Sequence, residues 1–184
     1  LPAGFAAVLA DSDARAGEGA LFDDSRTLSR LIGRATTPMS ATVRDALAAG
    51  RMEHAARLLG RSYSIDGRVV HGEKMGRKLG FATANIRIKH DKPPLTGVFA
   101  VEVHGLPDGP HRGVANLGIR PSANQVARPL LEVHLFDFSR DIYGAHLNVR
   151  FVHKIRDEAR FPNLEALKAQ IALDAESAKN HFKQ

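Results

Sequence analysis

The chain has no cysteine and no tryptophan among its 184 residues. Without thiols there can be no disulfide, no thiolate metal site and no cysteine nucleophile. Aromatics are scarce in general. Nine Phe and two Tyr make a thin set of stacking platforms for a single-strand nucleic-acid binder. No apolar run approaches the roughly 20 residues of a membrane-spanning helix, and no charged-then-apolar leader opens the sequence. Leu1 in place of Met is expected of a piece cut from a longer chain. The nine histidines form no HxH, HxxH or HExxH spacing, so zinc is not expected and most are read as ordinary strand or surface residues. A cytoplasmic location is compatible with the lack of cysteine, although not required by it.

Acidic residues are also in short supply. Lys and Arg number 26 against 20 Asp and Glu, which gives a net charge of +6 and a pI near 10.0. An anionic partner is implied, whether nucleotide, nucleic acid or acidic lipid. The excess is local. Residues 61–90 hold Arg61, Arg68, Lys74, Arg77, Lys78, Arg87 and Lys89 against Asp66 and Glu73 alone. The length allows one substantial core, or one domain with an appendage.

Residues 1–38 are rich in Ala, Gly, Ser, Asp and Arg and read as an irregular, unassigned lead-in. Residues 40–60 read as two short helices. Ser40 is the expected cap of the first, Val43, Ala46 and Leu47 share its face, and Gly50 ends it. Met52, Ala55, Ala56 and Leu59 mark the second, which Gly60 stops. From Tyr63 the period shifts to two, which predicts strands at 63–70, 83–89, 97–104, 111–117, 130–137 and 146–154. Six short strands at this spacing imply a small antiparallel barrel or sandwich. A closing helix is predicted over 163–182, with Asn163 as N-cap and Leu164, Leu167, Ile171, Ala175, Ala178 and Phe182 as an apolar stripe laid on the barrel.

Four segments could carry chemistry. In Gly76-Arg77-Lys78-Leu79-Gly80-Phe81-Ala82-Thr83-Ala84-Asn85, glycines and cations suit a phosphate loop. Thr83 and Asn85, two apart on an extended strand, present hard oxygens of the kind Mg²⁺ accepts. The spacing fits neither a Walker loop nor a dinucleotide fingerprint, and on its residues alone the segment is equally a surface hairpin with solvated cations. In Leu130–Phe138, Glu132 sits among apolar neighbours and could act as a general base. A solvated glutamate on the outer face of a half-buried strand competes with that reading. In Ile155–Phe161, Arg156 and Arg160 could clamp phosphate and Glu158 could accept a ligand hydrogen bond, against a plain charged connector. In Gly113–Ser122, Gly118 and Pro121 bound an expected loop that is either a ligand-binding or a structural turn.

Taken in order, these pieces resemble the riboflavin kinase domain, in particular its bacterial form in bifunctional riboflavin kinase/FAD synthetases. The matching runs are Gly67-Arg68-Val69-Val70-His71-Gly72 through Asn85; Gly113 through Ser122; Leu131 through Phe138 with Asp141-Ile142-Tyr143-Gly144; and Arg156-Asp157-Glu158-Ala159-Arg160-Phe161 with the following helix. The resemblance implies a mainly β fold, a six-stranded antiparallel Greek-key barrel with a C-terminal helix and short N-terminal helices. It implies a kinase domain over 62–184. Residues 39–61 resemble the tail of the adenylyltransferase domain that precedes the kinase in such proteins. No His-x-Gly-His signature of that domain occurs in residues 1–60, so FAD synthesis is not expected of these residues. The implied reaction moves the γ-phosphoryl of ATP to the 5′-hydroxyl of riboflavin, giving FMN and ADP. Thr83 and Asn85 would hold Mg²⁺ and the phosphates. Gly72, Gly76, Arg77 and Lys78 would form the flap over the nucleotide. Glu132 would be the base, and Arg156, Glu158, Phe161 and Tyr143 would lie on the flavin side. The family's usual Pro-Thr-Ala-Asn is here Ala82-Thr83-Ala84-Asn85, which keeps both ligands and loosens the backbone before them. Small-molecule substrates are thus expected, with neither nucleic acid nor membrane as partner. A basic barrel that binds nucleic acid, and a kinase domain that binds flavin or nucleotide without turnover, are the competing readings.

Overall fold

The computed structural model describes residues 38–72, 76, 79–88, 92–121 and 127–183, with the backbone alone at 120, 121, 127 and 128. The lead-in up to residue 37, Arg77, Lys78 and Ser122 lie outside the described residues. Residues 39–184 form one compact unit. Its elements are α1 (Met39–Ala48), α2 (Met52–Leu59), β1 (Ser64–Val70), β2 (Ala84–Arg87), β3 (Gly97–His104), β4 (His111–Pro121), β5 (Ala127–Leu135), β6 (His146–Arg156) and α3 (Leu164–His181). No described helix is long and apolar enough to cross a membrane.

The strands close a barrel in the order β1-β2-β5-β4-β3-β6, and every pairing is antiparallel. Strands β3, β4 and β5 follow one another, and β6 returns beside β3, which is the Greek-key arrangement. Register shifts between Val98 and Phe99 and between Ala100 and Val101, where β3 meets β6, mark bulges that bend the wall. Alternation decides what lies inside. Ile65, Val69, Ile86, Phe99, Val101, Val103, Leu117, Leu131, Val133, Leu147, Val149 and Phe151 are all buried, and Phe99 meets Phe151 edge-on with ring centroids 5.2 Å apart.

The same core takes in Val43, Ala46 and Leu47 of α1 and Met52 and Ala55 of α2. The helical pair thus packs into the barrel's own core. Gly50 (φ 72°) and Gly60 (φ 68°) adopt the left-handed backbone that ends each helix. Ser40 is not a cap: α1 already begins at Met39, which puts Ser40 in its first turn. A second cluster lies outside the barrel, where Val98, Ala100 and Val114 meet Ala175 and Ala178 of α3. This is why β3 is buried on both faces along most of its length.

Two further expectations need correction. Gly118 to Pro121 is strand, not loop: Gly118 pairs with Leu130, Ile119 with Pro129, Arg120 with Arg128 and Pro121 with Ala127. The neighbouring ladder overrides local turn chemistry there. The apolar stripe of α3 also divides. Ala175 and Ala178 are buried on the barrel, whereas Leu164, Leu167 and Ile171 face a cavity. Asn163 caps the helix as expected, its Oδ1 accepting from the Ala166 N–H at 2.8 Å.

Candidate active site

The register places one row of side chains across five adjacent strands. Asn85 (β2) lies opposite Glu132 (β5), Glu132 opposite Asn116 (β4), Asn116 opposite Val98 (β3) and Val98 opposite Arg156 (β6). Directly opposed residues share a face. Their neighbours Ile86, Leu131, Val133, Ala115, Leu117 and Phe99 fill the barrel, so the row runs along the outside. There α3 and the connector that precedes it leave a cavity of about 550 Å³, within the range of small-molecule sites. Gly76, Thr83, Glu132, Arg156, Glu158 and Phe161, drawn from three separate segments of the sequence, all line it. Glu132 and Thr83 are half-buried.

The two expected oxygen ligands, Thr83 and Asn85, lie against glycines, and only Thr83 lines the cavity. Asn85 is 7 % exposed. A Cβ on Gly72 would come within 2.6 Å of its Oδ1, and one on Gly76 within 2.9 Å of Thr83 Oγ1. Both glycine positions can lie this close to those side chains only because they carry no Cβ. Ala84, between the ligands, packs on the main core and pairs with Val133, which leaves Thr83 and Asn85 to the outer face. A hydroxyl, an amide oxygen and a carboxylate on the adjacent strand are hard, oxygen-only donors and fit Mg²⁺. The Ala82 carbonyl accepts from His134 Nδ1 at 2.9 Å, so this ring carries its proton on Nδ1. The same ring meets Phe81 edge-on at 5.5 Å. His134 thus restrains the backbone just before Thr83, where the resemblance would lead one to expect a proline.

Arg156 reaches α3. Its Nε donates to Asp174 Oδ1 at 2.9 Å and its Nη2 to Asp174 Oδ2 at 2.7 Å. Its Nη1 donates to the Asp157 carbonyl at 2.8 Å, and its guanidinium carbon lies 5.5 Å from the Phe161 ring centre. Three of its five N–H groups are therefore committed within the protein, which makes it a brace rather than a free phosphate clamp. Glu158 leans on Gly118, where an added Cβ would lie 2.8 Å from the carboxyl carbon. Arg160 is exposed and does not line the cavity.

Tyr143 is not brought into this cavity. Its ring packs against that of His71 with centroids 3.8 Å apart and planes tilted by 36°, and it lines a smaller pocket of about 80 Å³ that shares only Thr83 with the first. Asn116 and Asp174 line the main cavity although neither stood out in the sequence. Asn116 had no signal beyond its place on a strand. Asp174 had one, a lone acid three residues after Ile171 on the apolar stripe, where a charge must find a partner.

Known sequences identify the family. The family described as "Flavokinase: Riboflavin kinase" matches residues 59–182. A bifunctional riboflavin kinase/FMN adenylyltransferase of Haemophilus influenzae is 50 % identical over 143 residues, which is 78 % of this chain and 46 % of that protein. The protein of the same description from Escherichia coli K12 is 48 % identical over 143 residues, 78 % of this chain and 45 % of the relative. The chain thus spans less than half the length of these relatives. Among solved structures, one titled a macrolide-efflux protein from Streptococcus pneumoniae superposes with a TM-score of 0.69 at 32 % identity, covering 77 % of this chain and 46 % of that one. Barrel fold and sequence agree, and the chain belongs to the riboflavin kinase family.

Proposed function

We propose that this chain phosphorylates the 5′-hydroxyl of riboflavin with ATP and Mg²⁺, giving FMN and ADP. The observation that carries this reading is the single cavity in which Thr83 and Glu132 meet an apolar wall. Leu164, Leu167 and Ile171 of α3 supply that wall with Phe161 beside them, a surface suited to a flat tricyclic ring. Glu132 stands between that wall and the ligand oxygens, where a ribityl chain would bring its terminal hydroxyl. It accepts the hydroxyl proton as the oxygen attacks the γ-phosphorus, and the bond to the ADP oxygen breaks. Thr83 and Asn85 would hold Mg²⁺, which when bound neutralises charge on the phosphate oxygens. Gly72 and Gly76 let backbone approach the same oxygens.

Thr83 borders both pockets, so the phosphates belong at that junction. Tyr143, which lines the smaller pocket with His71 packed on it, would then attend the nucleotide base rather than the flavin. In this reading the kinase comprises residues 62–184, with α1 and α2 as a cap on its core. An adenylyltransferase domain would belong to a longer parent, as in the bifunctional relatives. The test is incubation with riboflavin, ATP and Mg²⁺ followed by chromatography. FMN and ADP should appear in equal amounts and depend on all three. Absence of FMN, with flavin or nucleotide still bound, would leave a binding domain without turnover.

A further inference from the structure

Resting on the flavin-phosphorylating reading above, we propose that Asp174 is a positioning residue that fixes the flavin end of the cavity by holding Arg156, with Lys154 as a second tie on the same connector. Asp174 is 4 % exposed in the middle of α3, and a buried carboxylate persists only where it is fully partnered. Its partners are Arg156 in a two-bond fork and Gln170, whose Nε2 donates to Oδ1 at 2.9 Å. The fork joins the last residue of β6 to the middle of α3 and so spans the segment 157–163 that carries Glu158 and Phe161. The rest of the guanidinium holds that segment directly, through the Asp157 carbonyl and the Phe161 ring.

Lys154 acts from the other side. Its ammonium lies 2.6 Å from Asp157 Oδ1. Its stem passes Gly50 in the turn between α1 and α2, where an added Cβ would lie 3.2 Å from the lysine Cβ. The connector is thus pinned to β6, to α3 and, through the lysine stem, to the helical cap. The nucleotide side, at Gly72, Gly76 and Thr83, shares none of these bonds. Loosening the pins should therefore weaken flavin binding and leave nucleotide binding in place, a separation that a general loss of stability would not produce.

The test compares wild type with Asp174→Asn, Asp174→Glu and Lys154→Met. Riboflavin Kd is read from quenching of the flavin's own fluorescence, and KM is measured for each substrate. Asp174→Asn should raise the riboflavin Kd and KM by about tenfold or more while the ATP KM moves less than about twofold. Asp174→Glu, which keeps the charge, should recover part of the loss. Lys154→Met keeps the stem packed and should raise the riboflavin Kd about threefold. It also decides the matter if Asp174→Asn does not fold. Riboflavin Kd at the wild-type value in the folded variants, or equal loss of ATP and riboflavin affinity, would overturn the positioning role. Wild-type protein that binds riboflavin but makes no FMN would defeat the proposed reaction and leave this role standing. Wild type that binds no riboflavin would overturn both.

Discussion

Glu132 is the residue through which turnover passes in the proposed mechanism. Its backbone neighbours Leu131 and Val133 are buried in the barrel at 0 % and 1 % exposure, so the strand cannot slip without exposing them. The carboxylate is thereby fixed opposite both Asn85 and Asn116. Glu132→Gln keeps that shape and should lower kcat by about a hundredfold or more, with riboflavin and ATP affinities within about twofold of wild type. Single-turnover FMN formation checks this, and near-normal turnover would remove Glu132 from the base role. Asn85→Ala should raise the Mg²⁺ concentration needed for half-maximal rate. Gly72→Ala should do the same by a different route, because its methyl would press on the Asn85 amide. An unchanged magnesium titration in both variants would contradict the assignment of Asn85. That Thr83 and Asn85 lie two apart, as one face of an extended segment requires, was legible in the sequence. The ring of His134 under Ala82 was not, since nothing local says that a histidine fifty-two residues later will hold that carbonyl.

At the scale of elements, α3 shows how packing redistributes a sequence pattern. Its stripe continues along one face, yet only the Ala175 and Ala178 part is buried on strand, while the bulkier Leu164, Leu167 and Ile171 border open space. Small residues let the helix approach β3 and β4 closely, and large ones at the other end hold a gap open. Strands β4 and β5 make a similar point, because Gly118, Pro121 and Pro129 punctuate the sequence but still sit within a paired hairpin. The far end of α3 meets β6 at His153, which stacks on His181 with centroids 4.6 Å apart. Partial desolvation of the largely exposed His153 ring pushes its imidazole below its usual pKa, the His181 charge adds to this, and Glu53 opposes it. The unfolded chain therefore takes up the proton at higher pH than the folded one. The stabilising contribution is full above the ordinary histidine range and is lost as pH falls through about 6.5. Thermal melts between about pH 7.5 and 5 should show Tm falling more steeply for wild type than for His153→Phe. Parallel slopes would mean the stack carries no such linkage.

For the molecule as a whole, closure of the barrel is the dominant structural fact. Every strand has two neighbours, so no edge is left open. A single interior core, shared with α1 and α2, sets the stability. Phe151→Ala would empty space beside Phe99 and Tyr63, whose rings lie 5.2 and 6.0 Å from its own. It should cost about 3–5 kcal/mol, read as a fall in Tm of about 10 °C. A loss under about 1 kcal/mol would mean that the core collapses around the gap. The basic charge of residues 61–90 is a property of the same scale. If it serves a nucleotide, then Mg-ATP should raise Tm. Oligonucleotide binding that is steeply salt-dependent and indifferent to riboflavin would instead favour a nucleic-acid module.

The sequence alone determined the strand count, the glycine stops of the first two helices, the Asn163 cap of the last and the kinds of groups available for chemistry, because these depend on periods of two and 3.6 residues and on glycines and caps read within one turn. The family was legible for the same reason, since its motifs are contiguous runs. Tertiary structure alone decided that the candidate cavity lies outside the barrel, that Arg156 is bound to Asp174, that Tyr143 faces a different pocket from Phe161, and that half of the α3 stripe lines a cavity. Each of these follows from which strand lies beside which and how closely a helix can approach a sheet. Those distances are set by side chains far apart in the chain, and no local pattern encodes them.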